Sequence, residues 1–265
     1  MLRIYQRLWQ VNWAEQWQYR ANTIMYLLYW IVSPVVYLSV WTTVAQAQGD
    51  VQGLTANDFV TYYLTLLLVD QLTSEITIHI FGYKVQDGSL SNELIRPIHP
   101  ILTQALVSNL AFKVLVLGGM LPVWGVLWVL FQPDFSAVMW GNVLMAVPAL
   151  FLGFALNFVI GATLTCLAFW TTRVWSLHEF YWAIVTLFSG QFVPLTLLPP
   201  YIQTISSYLP FQMYKYFQIQ LILGKLTTAE IVQGYTLGVV WLVVALFAFA
   251  WVWRVGVTKY SAVGA

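Results

Sequence analysis

The sequence predicts an all-α integral membrane protein with six transmembrane helices. Of its 265 residues, 60% are hydrophobic and only 8% are charged, and the mean hydropathy is +0.74. A soluble domain carries roughly 25% charged residues, so this chain could not cover a water-exposed surface. Its apolar segments are long and continuous rather than alternating, which excludes the strands of a membrane barrel.

Composition also excludes several function classes. Eleven basic and ten acidic residues give a net charge of +1, so no basic field is available to hold nucleic acid. Cys166 is the one cysteine, which excludes an intrachain disulfide and a cysteine-built metal site. His79, His99 and His178 fall in three separate segments without metal-ligand spacing. We therefore predict no catalytic site, no metal site and no nucleotide site on this chain.

The first predicted element is an amphipathic helix over residues 1–21, lying in the inner membrane interface. Apolar and aromatic side chains recur there at helical spacing, namely Leu2, Tyr5, Trp9, Trp13 and Trp17. No signal-peptide pattern is present in these residues. The alternative is a straight cytoplasmic extension of the first span.

The six spans follow from segment length. A bilayer core about 30 Å thick requires about 20 apolar residues in a helix. The predicted spans comprise residues 24–44, 59–80, 105–131, 143–170, 180–198 and 231–253. The connections at 81–104 and 199–230 are too short to fold independently, so residues 1–265 form one transmembrane domain.

Basic residues predict the orientation, because cytoplasmic connections are enriched in lysine and arginine. With both termini cytoplasmic, only Lys215 and Lys225 lie outside, and Lys113 lies within a span. The cytoplasmic side then receives Arg3, Arg7, Arg20, Lys84, Arg96, Arg173, Arg254 and Lys259. We therefore expect both termini in the cytoplasm.

The second span is the most polar. Gln71, Glu75 and His79 are spaced four residues apart on one helical stripe, and Asp70 and Ser74 lie beside it. Ionisable groups within a span are expected to face protein or water rather than lipid. One interpretation is a polar translocation path through Asp70, Gln71, Ser74 and Glu75. The other is an ion pair with Lys113 of the third span, and the two are compatible.

In the fourth span, small residues recur every fourth position, including Gly153 and Gly161, with Asn157 between them. Such a stripe allows close helix packing, and Asn157 could donate an interhelical hydrogen bond.

In the inner connection, Asp87-Gly88 predicts a turn, and Ser89 or Ser91 could begin a short helix that Pro97 ends. That helix could dock a cytoplasmic partner; a simple solvated connector is the alternative.

After the fifth span the chain is too apolar for a free loop and too broken to span, which indicates re-entrant or interfacial helices on the outer side.

Together these patterns resemble the permeases of ABC type-2 exporters. The inner loop resembles the one that such permeases present to their ATPase, through Gly88-Ser89-Leu90 and Leu94-Ile95-Arg96-Pro97. The outer segment is similar through Ser189-Gly190, Pro194-Leu195, Leu209-Pro210-Phe211 and Leu223-Gly224.

The resemblance implies a stand-alone permease in the bacterial inner membrane, paired with an identical or paralogous permease and with two ABC ATPase subunits. ATP and Mg²⁺ would bind the ATPases, and no cofactor would bind this chain. Residues 81–104 would then form the coupling loop. The coupling residues would be Asp87, Gly88, Leu90, Glu93, Leu94, Arg96 and Pro97, with Arg173 in a second contact.

Two alternatives come from other classes: a membrane enzyme acting on lipid through Asp70, Glu75 and His79, and an ion-coupled carrier using Asp70 or Glu75.

For the exporter, the acids exceed what Lys113 can neutralise, and aromatic residues surround them. These are Tyr26, Tyr29, Trp30, Tyr37, Trp41, Tyr62 and Tyr63. Carboxylates beside aromatic faces suit amphipathic or cationic compounds, as in multidrug efflux.

Overall fold

A computed structural model describes residues 2–260, and the side chains of residue 2 and of residues 20–23 are outside that description. Met1 and residues 261–265, at the ends of the predicted domain, also lie outside it. Eleven α-helices account for most of the described chain. They are α1 (Leu2–Gln18), α2 (Arg20–Gln48), α3 (Ala56–Thr73), α4 (Thr77–Gln86), α5 (Ser91–Leu94), α6 (Leu106–Phe131), α7 (Trp140–Thr165), α8 (Val174–Phe188), α9 (Pro200–Tyr208), α10 (Tyr216–Ile222) and α11 (Thr228–Lys259).

Shorter helical pieces complete the fold. A π-helical turn at Pro100–Ala105 leads into α6, and 3₁₀ turns occupy Cys166–Phe169, Leu195–Leu197 and Pro210–Tyr214. Apart from one isolated bridge between Val51 and Leu54, residues 2–260 contain no β-structure. The predicted all-α class is therefore correct.

Five helical segments of the described chain are long and apolar enough to cross a membrane: Ile24–Gln48, Ala56–Gln86, Pro100–Phe131, Trp140–Phe169 and Thr228–Lys259. The fifth predicted span differs. Its helix, α8, begins at Val174 and ends at Phe188, so 15 residues are helical. The chain from Ser189 to Pro194 turns instead, around Gly190 at φ +79°. The count of six spans therefore stays a prediction.

The second span is the central element of the bundle. In its most apolar stretch 67% of the residues are buried, against 11% in the first and third spans. Its start is fixed by Thr55, whose hydroxyl accepts from the backbone N–H of Asp58 while the Asp58 carboxylate accepts from Thr55 N–H. Thr227 and Glu230 form the same capping box at the start of α11. Both caps define where a span begins.

The sequence predicted one continuous helix for the second span, and this prediction is wrong. The span divides into α3 and α4 at Ser74-Glu75-Ile76, where Ser74 takes an extended conformation with ψ 159°. Threonine and serine at this point favour a break because their hydroxyls compete for backbone partners. Non-helical backbone within a membrane is stable only where it is buried in protein or borders water. The break therefore indicates the position of a polar site.

The segment between α8 and α11 lies against the second span rather than apart from it. Tyr62 donates to the carbonyl of Gly190 at 2.6 Å, and Tyr63 donates to that of Phe192 at 2.8 Å. Trp41 of α2 donates to the same Phe192 carbonyl at 3.1 Å. These bonds satisfy turn carbonyls that would otherwise be unpaired in an apolar setting.

Candidate functional site

The break in the second span leaves backbone groups without helical partners, and side chains of two other spans bind them. Asn109 of α6 accepts from the N–H of Ile76 at 2.8 Å. Asn157 of α7 donates to the carbonyl of Thr73 at 3.0 Å. Asn109 and Asn157 are 1% and 9% exposed, so these bonds pair backbone groups that are buried in the protein.

Lys113 binds the break rather than an acid. Its ammonium group donates to the carbonyl of Gln71 at 2.9 Å and to the carbonyl of Ser74. It also lies 4.8 Å from the centre of the Phe154 ring. The ion pair that the sequence suggested between Lys113 and Asp70 or Glu75 is therefore absent among the described residues. The carbonyls released by the broken helix take the place of the expected carboxylate.

Asp70 pairs instead with Lys215, at 2.8 Å between Oδ1 and Nζ, and both side chains are almost completely buried. Lys215 also donates to the side chain of Gln191. The sequence had counted Lys215 among the outer charges, but the structure buries it against the second span. The charge of Asp70 is therefore neutralised within the protein.

Glu75 lies in the break itself, with its side chain 4% exposed. Its Oε2 accepts from the N–H of Thr77 at 2.6 Å. Its Oε1 lies 4.0 Å from Nε2 of His178, the nearest basic nitrogen within the described residues. A Cβ added at Gly161 would lie 2.2 Å from Glu75 Oε1, so this glycine makes room for the carboxylate. Glu75 therefore has no lysine or arginine partner in the part of the chain described.

A cavity of about 590 Å³ opens beside the break. This volume lies within the range of about 300–1,000 Å³ that small-molecule sites occupy. Lys84 and Gln104, which flank the inner connection, also line it, so it lies toward the end of the bundle that carries residues 81–104. Asp70, Ser74 and Glu75 of the predicted path line the cavity, whereas Gln71 does not. Gln71 is fully buried behind the wall because the break interrupts the predicted stripe.

The cavity is lined by more acidic residues than basic ones. Its acids are Glu15, Asp70, Glu75 and Glu179, and its lysines are Lys84 and Lys215. Lys215 pairs with Asp70, and Lys84 pairs with Glu93 at 3.1 Å. Glu15, Glu75 and Glu179 therefore have no lysine or arginine partner among the side chains that the structure describes. An excess of carboxylates in a concave site attracts cations.

The aromatic residues predicted near these acids divide into two groups. Tyr26, Tyr29 and Trp30 line the cavity. Tyr37 and Trp41 instead pack against Phe192 of the turn after α8, with ring centres 5.4 and 6.4 Å away. Tyr62 and Tyr63 belong to this second group, because their hydroxyls bind carbonyls of the same turn. Sequence reasoning missed other cavity residues, on α1 and α8. These are Asn12, Glu15, Gln16, Tyr19, His178, Glu179, Tyr181 and Trp182.

The small-residue stripe of α7 faces the same region. Gly161 makes room for Glu75, while a Cβ at Gly153 would lie 2.3 Å from the Gln218 side chain. Gln218 itself donates to the carbonyl of Ala149 at 3.0 Å. The two glycines of the stripe thus leave space for the Glu75 carboxylate and the Gln218 side chain. Asn157, which lies between them, donates to the backbone at the break. Close packing and polar contact occur on one helix face.

The inner connection forms a compact turn held by the end of α11. Tyr260 donates to the carbonyl of Gly88 at 2.6 Å and accepts from the N–H of Ser91 at 3.2 Å. Gly88 has φ +81°, a conformation that side chains disfavour. Leu90 is completely buried and Leu94 packs against the core. A bond from the Ser89 N–H lowers the pKa of the Asp87 carboxyl below its ordinary value.

Glu93 is buried within this turn, contrary to the expectation that it faces a partner. It pairs with Lys84 at 3.1 Å and with Arg96 at 3.2 Å. The exposed surface consists instead of Ile95, 85% exposed, with Arg96 and Pro97 beside it. Arg173 is also exposed, and its segment is joined to α4 by the bond from Gln86 to the Thr172 carbonyl at 3.1 Å. The two predicted contact regions are therefore adjacent.

No cluster of three or more metal-binding side chains occurs within residues 2–260. A family model described as ABC-2 family transporter protein matches residues 21–264, which is nearly the whole chain. A comparison with curated proteins gives no match. The match confirms the resemblance on which the sequence prediction rests, and the segment before residue 21 lies outside it.

Proposed function

The chain belongs to the ABC-2 family of transporter proteins, and we propose that it is the membrane permease subunit of an ATP-driven exporter. Membership in this family and the long apolar helices make it a multi-pass membrane protein. In the proposed complex the chain performs no catalysis alone. It forms the translocation path together with a second permease, identical or paralogous.

The acidic cavity beside the broken second span is the observation that supports the proposal most strongly. It is large enough for a drug-sized compound, and three of its carboxylates lack lysine or arginine partners in the described chain. Tyr26, Tyr29 and Trp30 add aromatic faces to the same wall. An amphipathic or cationic compound fits both features, because aromatic faces attract cations by about 0.5–2 kcal/mol per well-placed ring. We assign the substrate to this class.

Energy would come from two ATPase subunits that carry ATP and Mg²⁺. The exposed surface of Ile95, Arg96 and Pro97, with the adjacent Arg173, is suited to contact them. The excess of basic residues supports a cytoplasmic location for this surface and for both termini. The membrane in this proposal is the bacterial inner membrane. The cavity then opens toward the side on which ATP is available. Hydrolysis would switch the permease pair so that the substrate leaves on the other side.

The test is co-purification in mild detergent, followed by reconstitution with the ATPase and permease that come along. We expect ATP-dependent export of an organic cation, no ATP hydrolysis by the purified chain alone, and slower export by Glu75→Gln. Asp134→Asn is the matched control, because Asp134 is exposed on the connection before α7 and does not line the cavity. Robust hydrolysis by the chain alone, or export of the cation without an ATPase, would refute the proposal.

A further inference from the structure

The face of α1 toward the bundle is polar, although the sequence suggested only an interfacial anchor. Asn12, Glu15, Gln16 and Tyr19 all line the cavity. Their spacing of three, four and seven residues from Asn12 places them on one helical stripe. Trp9, Trp13 and Trp17 form a neighbouring row, with consecutive ring centres 6.2 and 6.4 Å apart. The helix therefore presents one polar face and one aromatic face.

The polar face is attached to the rest of the wall. Ser108 of α6 donates to the Asn12 side-chain oxygen at 2.5 Å, and both residues are 8% exposed. The Asn12 amide nitrogen donates to the carbonyl of Leu8 at 2.8 Å, which fixes the orientation of the side chain. Because Ser108 also lines the cavity, this bond holds α1 at the edge of the site.

Glu15 is the acid that α1 contributes. It is exposed, it lines the cavity, and no lysine or arginine whose side chain the structure describes lies within ion-pair distance of it. Glu75 supplies a second such carboxylate from the break, with its side chain 4% exposed and Oε1 free of a hydrogen bond within the described chain. The two acids lie on different elements of one cavity, so a bound cation could contact both.

We propose that α1 is a wall of the substrate site and that Glu15 selects positively charged substrates. The proposal rests on the proposed function, because it assigns a specificity-determining residue to the cavity of that permease. A cation entering the cavity meets the Glu15 carboxylate beside the aromatic ring of Tyr19. The substrate class is an organic cation with an apolar body, which the tyrosine and tryptophan faces of the wall contact.

The first experiment measures binding to the full-length chain in lipid nanodiscs, without an ATPase. The probes are tetraphenylphosphonium, a cation, and triphenylphosphine oxide, a neutral molecule with similar rings. We expect Glu15→Gln to weaken binding of the cation by about twofold to fivefold, the range for an exposed charge pair, and to leave binding of the neutral probe unchanged. Asp134→Asn, which removes a distant exposed carboxylate, is expected to change neither affinity.

The second experiment tests whether α1 forms a wall, independently of Glu15. Tyr19→Cys and Gln18→Cys are made in a Cys166→Ala background, which removes the buried native cysteine. Tyr19 lines the cavity and its neighbour Gln18 does not. We expect tetraphenylphosphonium to slow modification of the cysteine at 19 by a charged thiol reagent and to leave modification at 18 unchanged.

Four outcomes would overturn the inference. Two concern Glu15→Gln: a cation affinity equal to that of wild type, or an equal loss of affinity for both probes. The others are failure of wild type to bind the cation and equal protection of the cysteines at 18 and 19. These outcomes are separable from failure of the proposed function. Binding and protection are measured without ATP, so an intact binding pattern with no ATP-dependent export would reject the exporter and keep the site.

Discussion

Two acids five residues apart in the second span line the same cavity but differ in their partners. Asp70, in the last turns of α3, lines the cavity but is paired with Lys215, and both side chains are at most 5% exposed. Glu75, in the break, faces an open cavity and has only His178 at 4.0 Å as a basic neighbour within the described chain. The charge of Asp70 is used to attach the segment after α8 to the second span. The charge of Glu75 stays available to a ligand.

The difference shows how a membrane protein can separate structural from functional charges within one span. A buried ion pair is unfavourable to break, because either partner alone is an uncompensated charge. A carboxylate at a cavity can be solvated by water or neutralised by a bound cation. The helix break produces this division, because it turns Glu75 toward the cavity and releases carbonyls that Lys113 binds. Four substitutions test the comparison.

Asp70→Asn should have the largest effect on stability. It leaves Lys215 buried without a counter-charge, and we expect the free energy of unfolding to fall by about 3–5 kcal/mol. Glu75→Gln is the comparison and should change it by less than about 1 kcal/mol. The measurement is denaturant unfolding in mixed micelles, followed by tryptophan fluorescence.

The double variant Asp70→Asn with Lys215→Met serves as the control for this prediction. It removes both charges, so most of the lost stability should return. Equal destabilisation by Asp70→Asn and Glu75→Gln would show that the two acids have equivalent surroundings and would contradict the comparison.

Lys113→Met should have the next largest effect. The methionine keeps an apolar stem but leaves the carbonyls of Gln71 and Ser74 without their charged donor, at a cost of about 1.5–3 kcal/mol in unfolding free energy. Lys225→Met is the matched control, because Lys225 pairs with Asp58 at 3.0 Å on a partly exposed surface. That change should cost about 0–1 kcal/mol. Equal losses would mean that the break does not depend on Lys113.

Gly161→Ala tests the room around Glu75. The added Cβ would overlap the carboxylate, and we expect a loss of about 1–3 kcal/mol together with weaker cation binding. Gly118→Ala, where nothing lies within 4 Å of the added Cβ, controls for the change of residue type. In a Glu75→Ala background, the cost of Gly161→Ala should shrink, because the overlapping group is gone. Additive effects in this double-mutant cycle would contradict the contact.

Hydropathy and residue spacing predicted the membrane class and most helices, because these depend on local composition. The family was predicted from a resemblance of the inner and outer segments to known permeases. The pairing of Lys215 was not predicted, since it joins residues that lie far apart in the chain. A signal for it existed: Lys215 stands alone in an aromatic and apolar stretch from Met213 to Phe217. Such a lysine requires a partner, and Asp70 was one of the acids in surplus.

The break in the second span and the polar face of α1 could also have been suspected from the sequence. In the segment from residue 73 to residue 77, β-branched residues and a serine surround Glu75 at membrane depth, and these residue types form helices less readily than alanine or leucine. Asn12, Glu15, Gln16 and Tyr19 recur at helical spacing, but the tryptophans of α1 dominated the sequence interpretation. The direction in which these side chains point depends on packing between helices, which one sequence does not specify.

Tyr260→Phe should have the smallest effect, and it tests whether the same division of roles extends to the inner connection. Phenylalanine keeps the ring packing on Phe169, 6.0 Å away, and removes only the hydroxyl that binds Gly88 and Ser91. A neutral hydrogen bond contributes about 0.5–1.5 kcal/mol, and these surface groups can bind water instead, so overall stability should change little.

The turn that presents Ile95 would nevertheless be held less firmly. We therefore expect substrate-stimulated ATP hydrolysis in the reconstituted complex to fall by about twofold to fivefold at unchanged cation affinity, since 0.5–1 kcal/mol corresponds to such a factor. Tyr201→Phe removes an exposed hydroxyl from α9 and should leave stimulation intact. If both variants match wild type, Tyr260 only packs against the bundle. A drop in cation affinity in Tyr260→Phe would instead connect the inner turn directly to the cavity, and the separation between binding and coupling residues would have to be abandoned.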